Sequence, residues 1–387
     1  MSTQNSIEGR LSIALDTNTE SVNISSNRPV LASRLFIGKP INEVLKLLPL
    51  MFNVCGQAQG AAAIRAAESS LGRRASMGVE SQRDRLILVE NLREHLWRIL
   101  LEWPQYSTST RNNDAMTAIL PLLQSLKTLS DPNQELLNNI GLQSLSLDDK
   151  SYQQQCHQLH LTIEQKLFGM ELEQWQNLTL KDFETWVNQH ETAATPLLRH
   201  VLEEDWGKVG KTSFQPIDNA ENTYIGAQLV SDQAENFVRE PSLNGIPLET
   251  GAAVRQQSHP LSKAIAQRYG NGLLHRLTSR LCDIAEMVIS LPTQLESTPQ
   301  PKDKGLSCVE TARGKLWHKM SVEDGIVTSY HVLAPTEWNF HPQGVAAASL
   351  VSMMKQAKSQ LRTQAELLIH AIDPCVGYTL KLEGAHA

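Results

Sequence analysis

The sequence predicts a mostly α fold with small β segments, an α+β class, and three observations carry that reading. Between Arg83 and Trp103, the apolar residues Leu86, Val89, Leu92, Leu96, Ile99 and Trp103 recur at intervals of three and four. That spacing lines one face of a helix for burial. Near the C-terminus, Ala357, Leu361, Ala365, Leu368 and Ile372 repeat the pattern. Strand-like stretches are confined to the N-terminus and to the region from Leu316 to Leu333.

The segment Ser6 to Ser26 alternates and is rich in Ile, Val, Ser and Thr, so it reads as one or two strands turning at Asp16-Thr-Asn-Thr. From Ile41 onward the signal becomes helical. The first long helix is expected to end at Pro104. The second should stop at Asp373-Pro374, since proline disfavours helical geometry in the residue before it. A variable helical middle is expected over 105–237, with irregular connections at Gly207 to Glu221 and Glu240 to Gly251. Gly325 should turn a hairpin between Leu316-Trp317-His318 and Ile326-Val327-Thr328.

A chain of 387 residues can bury a substantial core. Its formal charge of −6 argues against nucleic-acid or anionic-membrane partners, which need clustered Lys and Arg. The first ten residues lack the apolar run of a signal peptide, and Arg73-Arg74 precedes no such run. No segment approaches the apolar length that spans a bilayer. A soluble cytoplasmic protein is expected.

The five cysteines, Cys55, Cys156, Cys282, Cys308 and Cys375, are odd in number and widely scattered. They do not read as a disulfide framework. Cys55 precedes Gly56 and the small residues Ala58, Gly60 and Ala61-Ala62-Ala63, which let a helix start approach another backbone closely. The helix dipole there would favour a thiolate. Cys375 sits in Asp373-Pro-Cys-Val-Gly-Tyr378, just past the C-terminal helix. Taken alone, either cysteine reads better as a small buried structural residue. Cys156, His157 and His160 include a metal-compatible i, i+4 pair, but with no second ligand pair nearby a helix surface is the better reading. Cys308 faces either the core or the same pocket as Arg313.

Several ordered segments together resemble the nickel–iron hydrogenase large subunit. Ile7-Glu-Gly-Arg-Leu11 resembles its first strand, and Gly38 to Gly56 its glycine, helix and Cys-Gly junction. Asn244-Gly-Ile-Pro-Leu-Glu-Thr-Gly-Ala-Ala-Val-Arg255 resembles G-x-P-x-E-x-G-P-L-A-R. Glu310-Thr-Ala-Arg-Gly314, Asp324-Gly325 and Ala334-Pro-Thr-Glu-Trp-Asn339 resemble E-A-P-R-G, D-G and V-P-T-T-W-N. Asp373-Pro-Cys375 resembles the start of D-P-C-x-x-C-x-x-H. The resemblance implies one large-subunit-like domain over 1–387, with an N-terminal β segment at 1–39 and a cofactor-pocket part at 238–387.

The departures decide what the resemblance implies about function. The family's two C-x-x-C pairs here read Cys55-Gly-Gln-Ala58 and Cys375-Val-Gly-Tyr378, so the metal-bridging second cysteine of each is gone. Lys381 stands in place of the closing histidine, and Ser33 in place of the proton-relaying glutamate. Ala312 replaces the proline of A-P-R-G. Hydrogen turnover and nickel binding are therefore not expected, nor is C-terminal processing after Lys381. Cys55 and Cys375 remain as metal ligands. Arg313 and Thr336 match the residues that face the iron's cyanides, although each could instead be a salt-bridge or turn residue.

This pattern resembles the HupK/HoxV type of hydrogenase assembly protein. It implies a transient carrier of an Fe(CN)2(CO) unit, partnered by the maturation chaperone complex and the large-subunit precursor. A metal-free structural relative is the alternative. The carrier reading expects Cys55 and Cys375 to meet in one cavity, with Ala58 and Tyr378 lining it and the tyrosine ring partly filling it.

Overall fold

The computed structural model describes residues 9–29, 32–52, 54–107, 110–146, 148–213, 215–293, 299–355 and 360–384. Ile7 and Glu8 of the N-terminal motif and Ala357 of the second helical stripe lie outside the described residues. β1 (Leu11–Asp16) and β2 (Ser21–Ser26) pair antiparallel where the alternation placed them. Leu11, Ile13 and Leu15 point into the core, and the Asp16 carboxylate accepts from the Asn18 amide (2.8 Å) and the Thr19 hydroxyl (2.8 Å) to fix the turn.

Helices follow. α1 (Ile41–Met51), α2 (Gly56–Leu71) and α3 (Met77–Trp97) come first. The middle holds α4 (Asn113–Ser130), α5 (Asp149–Ile163), α6 (Leu172–Gln176), α7 (Leu180–Gln189), α8 (Thr195–Glu203), α9 (Asn222–Gln228) and α10 (Ala234–Arg239). α11 (Ala252–Arg255), α12 (Pro260–Tyr269) and α13 (Leu273–Ser290) lead to the second sheet. α14 (Pro335–Asn339), α15 (Val345–Met354) and α16 (Leu361–Ile372) close the helical part. Among the described residues no helix is long and apolar enough to cross a membrane.

The predicted stripe of the first long helix is buried throughout, but α3 does not run to Pro104. It widens into a π turn at Arg98–Glu102 and tightens into a 3-10 turn at Trp103–Tyr106. Proline has no N–H and crowds the carbonyl four residues back. That carbonyl, on Leu100, instead accepts from the Asn112 amide at 3.0 Å. α16 stops at Asp373 as expected, with Asp373 in the left-handed region (φ +71°).

The second sheet runs β3-β4-β5, with β3 (Leu306–Thr311), β4 (Gly314–Glu323) and β5 (Ile326–Leu333) all antiparallel. Asp324 and Gly325 both have positive φ (49° and 78°), the geometry of a tight two-residue hairpin turn. The turn is where the sequence put it, yet the pairing differs. The two-residue turn makes Glu323 face Ile326 and Val322 face Val327, and a one-residue register shift between Ser321 and Val322 then puts Trp317 opposite Leu333 and His318 opposite Val332. Two strands were not anticipated. β3 extends this sheet, and β6 (Tyr378–Glu383) lies parallel to β1 at the far end of the chain, giving a first sheet of order β2-β1-β6.

α2 packs on β3 and β4 and on α1 because its residues are small. A Cβ at Gly56 would meet the Pro49 carbonyl oxygen at 2.7 Å, and one at Gly60 would meet Leu137 at 2.8 Å. Behind this contact His318 is fully buried. Its Nε2 donates to Gln59 Oε1 (2.9 Å), and its Nδ1 accepts from the Tyr330 hydroxyl (2.8 Å).

Burial depresses the His318 imidazole from 6.5 to about 3. Its folded value lies below its unfolded one, so its contribution to stability is complete above the unfolded pKa, about 6.5. It is lost as pH falls toward about 3. His275, held down to about 4 by burial and Arg276, acts in the same direction. Thermal melts are expected to show stability declining below about pH 6.5, with a shallower decline in His318→Gln.

Candidate metal centre

Cys55 caps the N-terminus of α2, and Gly56 lets that turn abut Pro49 of α1. The turn is fixed from outside by Glu90 of α3, whose carboxylate accepts from the amides of Gln57 (2.8 Å) and Ala58 (3.0 Å). Burial pushes the Glu90 carboxyl up to about 7, against the pull of those two amides. Gln59, held by His318, directs its side-chain N–H at Cys55 Sγ (3.7 Å).

Cys375 arrives from the other end of the chain. Its amide donates to Thr336 Oγ1 (3.2 Å), and the Thr336 hydroxyl donates to Cys375 Sγ (3.0 Å). Both placements depend on the preceding Asp373, a buried carboxylate held by Arg98 (2.8 Å), Arg280 (3.3 Å) and Arg313 (3.2 Å). Burial would raise Asp373, but Arg313, Arg98 and Arg280 outweigh it and hold the carboxyl well below its usual range.

Arg313 lies in the tight loop between β3 and β4, where three of the motif segments interlock. Its carbonyl accepts from Asn339 (3.3 Å), the Asn339 side-chain oxygen accepts from the Thr250 amide (3.0 Å), and Thr250 Oγ1 accepts from the Lys315 amide (2.9 Å). Gly314 (φ +123°) has no room for a side chain, since a Cβ would meet Thr250 Oγ1 at 2.4 Å. The Arg313 guanidinium also reaches Glu94 (3.2 Å). Other charged motif residues are structural. Glu249 pairs with Arg276, and Arg255 bridges Asp283 (2.6 Å) and Glu310 (3.0 Å).

These elements enclose a cavity of about 90 Å³ that Cys55, Cys375 and Arg313 all border, together with Ser33, Arg28 and Glu337. Apolar walls come from Phe36, Leu48, Leu316 and Val332. Ser33 donates to the Tyr330 carbonyl (2.9 Å). Burial pushes the Cys55 thiol up to about 12, aided by Glu90 and Cys375 and opposed by Gln59 and Arg313. The helix dipole therefore does not make Cys55 a resting thiolate: desolvation wins.

Three expectations need correction or a choice. Ala58 is buried behind the cavity among Leu86, Leu136 and Val309, not on its wall. Tyr378 is also off the cavity. Pairing with Leu11 draws it into β6 and onto a neighbouring groove with Arg98 and Glu102, its ring 5.9 Å from His370. Cys308 takes the core alternative, packed with Trp317 and Trp338. Cys156 is likewise in the core while His157 is exposed, and His160 groups on the surface with Glu164 and Glu173. Thr336 reaches the site through its bond to Cys375. Sequence reasoning missed Arg28, Glu337, Glu94 and Arg98. The one available signal was the acid at 337, where the resembled motif has a threonine.

The comparisons agree with this geometry. A family model described as nickel-dependent hydrogenase matches residues 226–379. The NAD+-reducing nickel–iron hydrogenase in its H2-reduced state superposes with a TM-score of 0.59 at 13% identity, over 92% of each chain. The chain thus has the fold of the nickel–iron hydrogenase large subunit. At 26% identity it is similar over 92% of both chains to the hydrogenase expression/formation protein HoxV of Cupriavidus necator. It is 28% identical over 90% of both chains to HupK of Azotobacter vinelandii, which bears the same description. Over nine-tenths or more of its length it is similar to the HupK/HoxV hydrogenase expression/formation proteins.

Asp373→Asn keeps the shape but leaves three guanidiniums without their shared carboxylate. Removing one partner of a buried ion pair costs about 3–5 kcal/mol. Urea unfolding should show a loss of that order, with Cys375 becoming more reactive to a thiol reagent in the folded state.

Proposed function

We propose that this chain is a hydrogenase assembly scaffold that carries an Fe(CN)2(CO) unit on Cys55 and Cys375 and passes it toward the large-subunit precursor. One observation carries the reading. Two cysteines from opposite ends of the chain border one small cavity beside Arg313, while the positions that would complete a four-thiolate site, Ala58 and Tyr378, supply no thiol. Thiolates are soft ligands suited to iron. A buried guanidinium gives a charge-assisted hydrogen bond to a cyanide nitrogen, whereas Thr336, expected as a second donor, lies off the cavity wall and spends its hydroxyl proton on Cys375 Sγ, positioning that ligand.

The resting thiol of Cys55 must lose its proton when it ligates, so loading releases protons. Two thiolates hold the cargo less firmly than four, which suits transfer. Nickel and hydrogen turnover are not part of this function. The partners are the maturation chaperone complex that delivers the unit and the precursor that receives it, which fits relatives described as hydrogenase expression/formation proteins.

Protein co-expressed with the maturation machinery should contain iron without nickel and show infrared bands of iron-bound carbon monoxide and cyanide. Cys55→Ala or Cys375→Ala should remove those bands and leave the fold intact, since the void each leaves is small. Arg313→Lys keeps the charge but loses the planar fork, so shifted cyanide bands and lower loading are expected. Unchanged iron and full client maturation in the double cysteine variant would leave the metal-free structural relative as the better reading.

A further inference from the structure

The cavity contains a second guanidinium that the motifs do not account for. Arg28 borders the space shared by Cys55 and Cys375, and also the neighbouring groove formed with Leu11, Ile24 and Phe340. Arg313 instead borders the groove that contains Tyr378. The two cations therefore border one cavity but different neighbouring grooves. Burial disfavours the Arg28 charge, and the Glu337 carboxylate beside it favours it.

Arg28 has one ionic partner among the described residues, Glu337, with side-chain exposures of 13% and 6%. Their contact runs through one nitrogen and one oxygen. Arg28 Nε and Glu337 Oε2 are both buried and have no hydrogen-bond partner among the described residues. A guanidinium and a carboxylate normally engage through two parallel bonds, and a buried orphan on each side is costly. By contrast, Arg313 is engaged by two carboxylates, Asp373 and Glu94. The less committed cation on the cavity is Arg28.

Resting on the carrier reading, we propose that Arg28 is a second binding residue for the anionic iron unit, and that Glu337 sets how firmly the unit is held by competing for Arg28. The charges require such a group. Ferrous iron with two cyanides and two thiolates carries a net charge of two minus, and an uncompensated buried anion is strongly unfavourable. Glu337 adds a negative charge against the same cavity, which opposes the cargo and favours release. It stands in Thr336-Glu337-Trp338, where the resembled large-subunit pattern has a second threonine. The acid and its arginine thus form a unit that loosens a site built from inherited parts.

The two members of the pair are expected to act in opposite directions on the cargo. Loaded wild-type, Arg28→Met and Glu337→Gln proteins would be compared by infrared spectroscopy, by iron loss to an excess of chelator, and by thermal melting of the unloaded forms. Arg28→Met should shift the cyanide bands and speed iron loss about ten-fold, the scale of one charge-assisted bond. Glu337→Gln should also shift the bands but slow iron loss. Bands at wild-type positions in both variants, or faster loss in both that tracks a lower melting temperature, would make the pair structural and overturn the proposal. If Arg28→Met does not fold, Glu337→Gln decides: slower loss supports the proposal, and unchanged or faster loss refutes it. Wild-type protein with no carbonyl or cyanide bands would refute the carrier reading itself.

Discussion

The Asp373 carboxylate is the constraint on which the rest of the site depends. It terminates α16 in a left-handed conformation, which Asp adopts more readily than most residues. Its oxygens draw together Arg98 beyond α3, Arg280 of α13 and Arg313 of the β3–β4 loop. Three parts of the chain that share no local sequence are thereby fixed around the residue two positions before Cys375. Such a cluster adds little net stability compared with apolar packing, but removing its shared anion is expensive. Its value lies in fixing position. It decides where the C-terminal thiol and the cavity guanidinium sit relative to each other.

The long helices and the first hairpin were legible because each is specified by its own residues. The α3 stripe, the Asp-Pro stop of α16 and the alternation of β1 are local signals. The pairing of Cys55 with Cys375 across one cavity was legible only through several motifs in order, since neither cysteine is distinctive alone. What could not be read depends on distant partners. β6 is six residues whose strand character is realised by β1 at the opposite end of the chain. Arg28 and Glu337 become a pair only through the fold. Tyr378 was misplaced because spacing along a motif says nothing of the direction a following strand imposes.

The site combines features that pull in opposite directions. Desolvation pushes the Cys55 thiol up despite its place at a helix start, which disfavours a bare thiolate at Cys55 among the apolar walls. The same desolvation strengthens any charge interaction once an anion enters. A cavity of this kind is quiet when empty and electrostatically strong when filled.

The parallel alignment of β1 with β6 has a consequence for how the molecule forms. β1 is synthesised near the start of the chain, and its second edge is completed only by residues 378–383. Until then β1 presents an open row of backbone donors and acceptors on that side, an invitation to wrong partners. Cys55 is likewise made early and waits for Cys375. Contacts of such long sequence separation form slowly because their loop entropy comes first. A nascent or truncated chain therefore has half a cavity and an unprotected strand, and the cavity is complete only once residues near both ends of the fold have met.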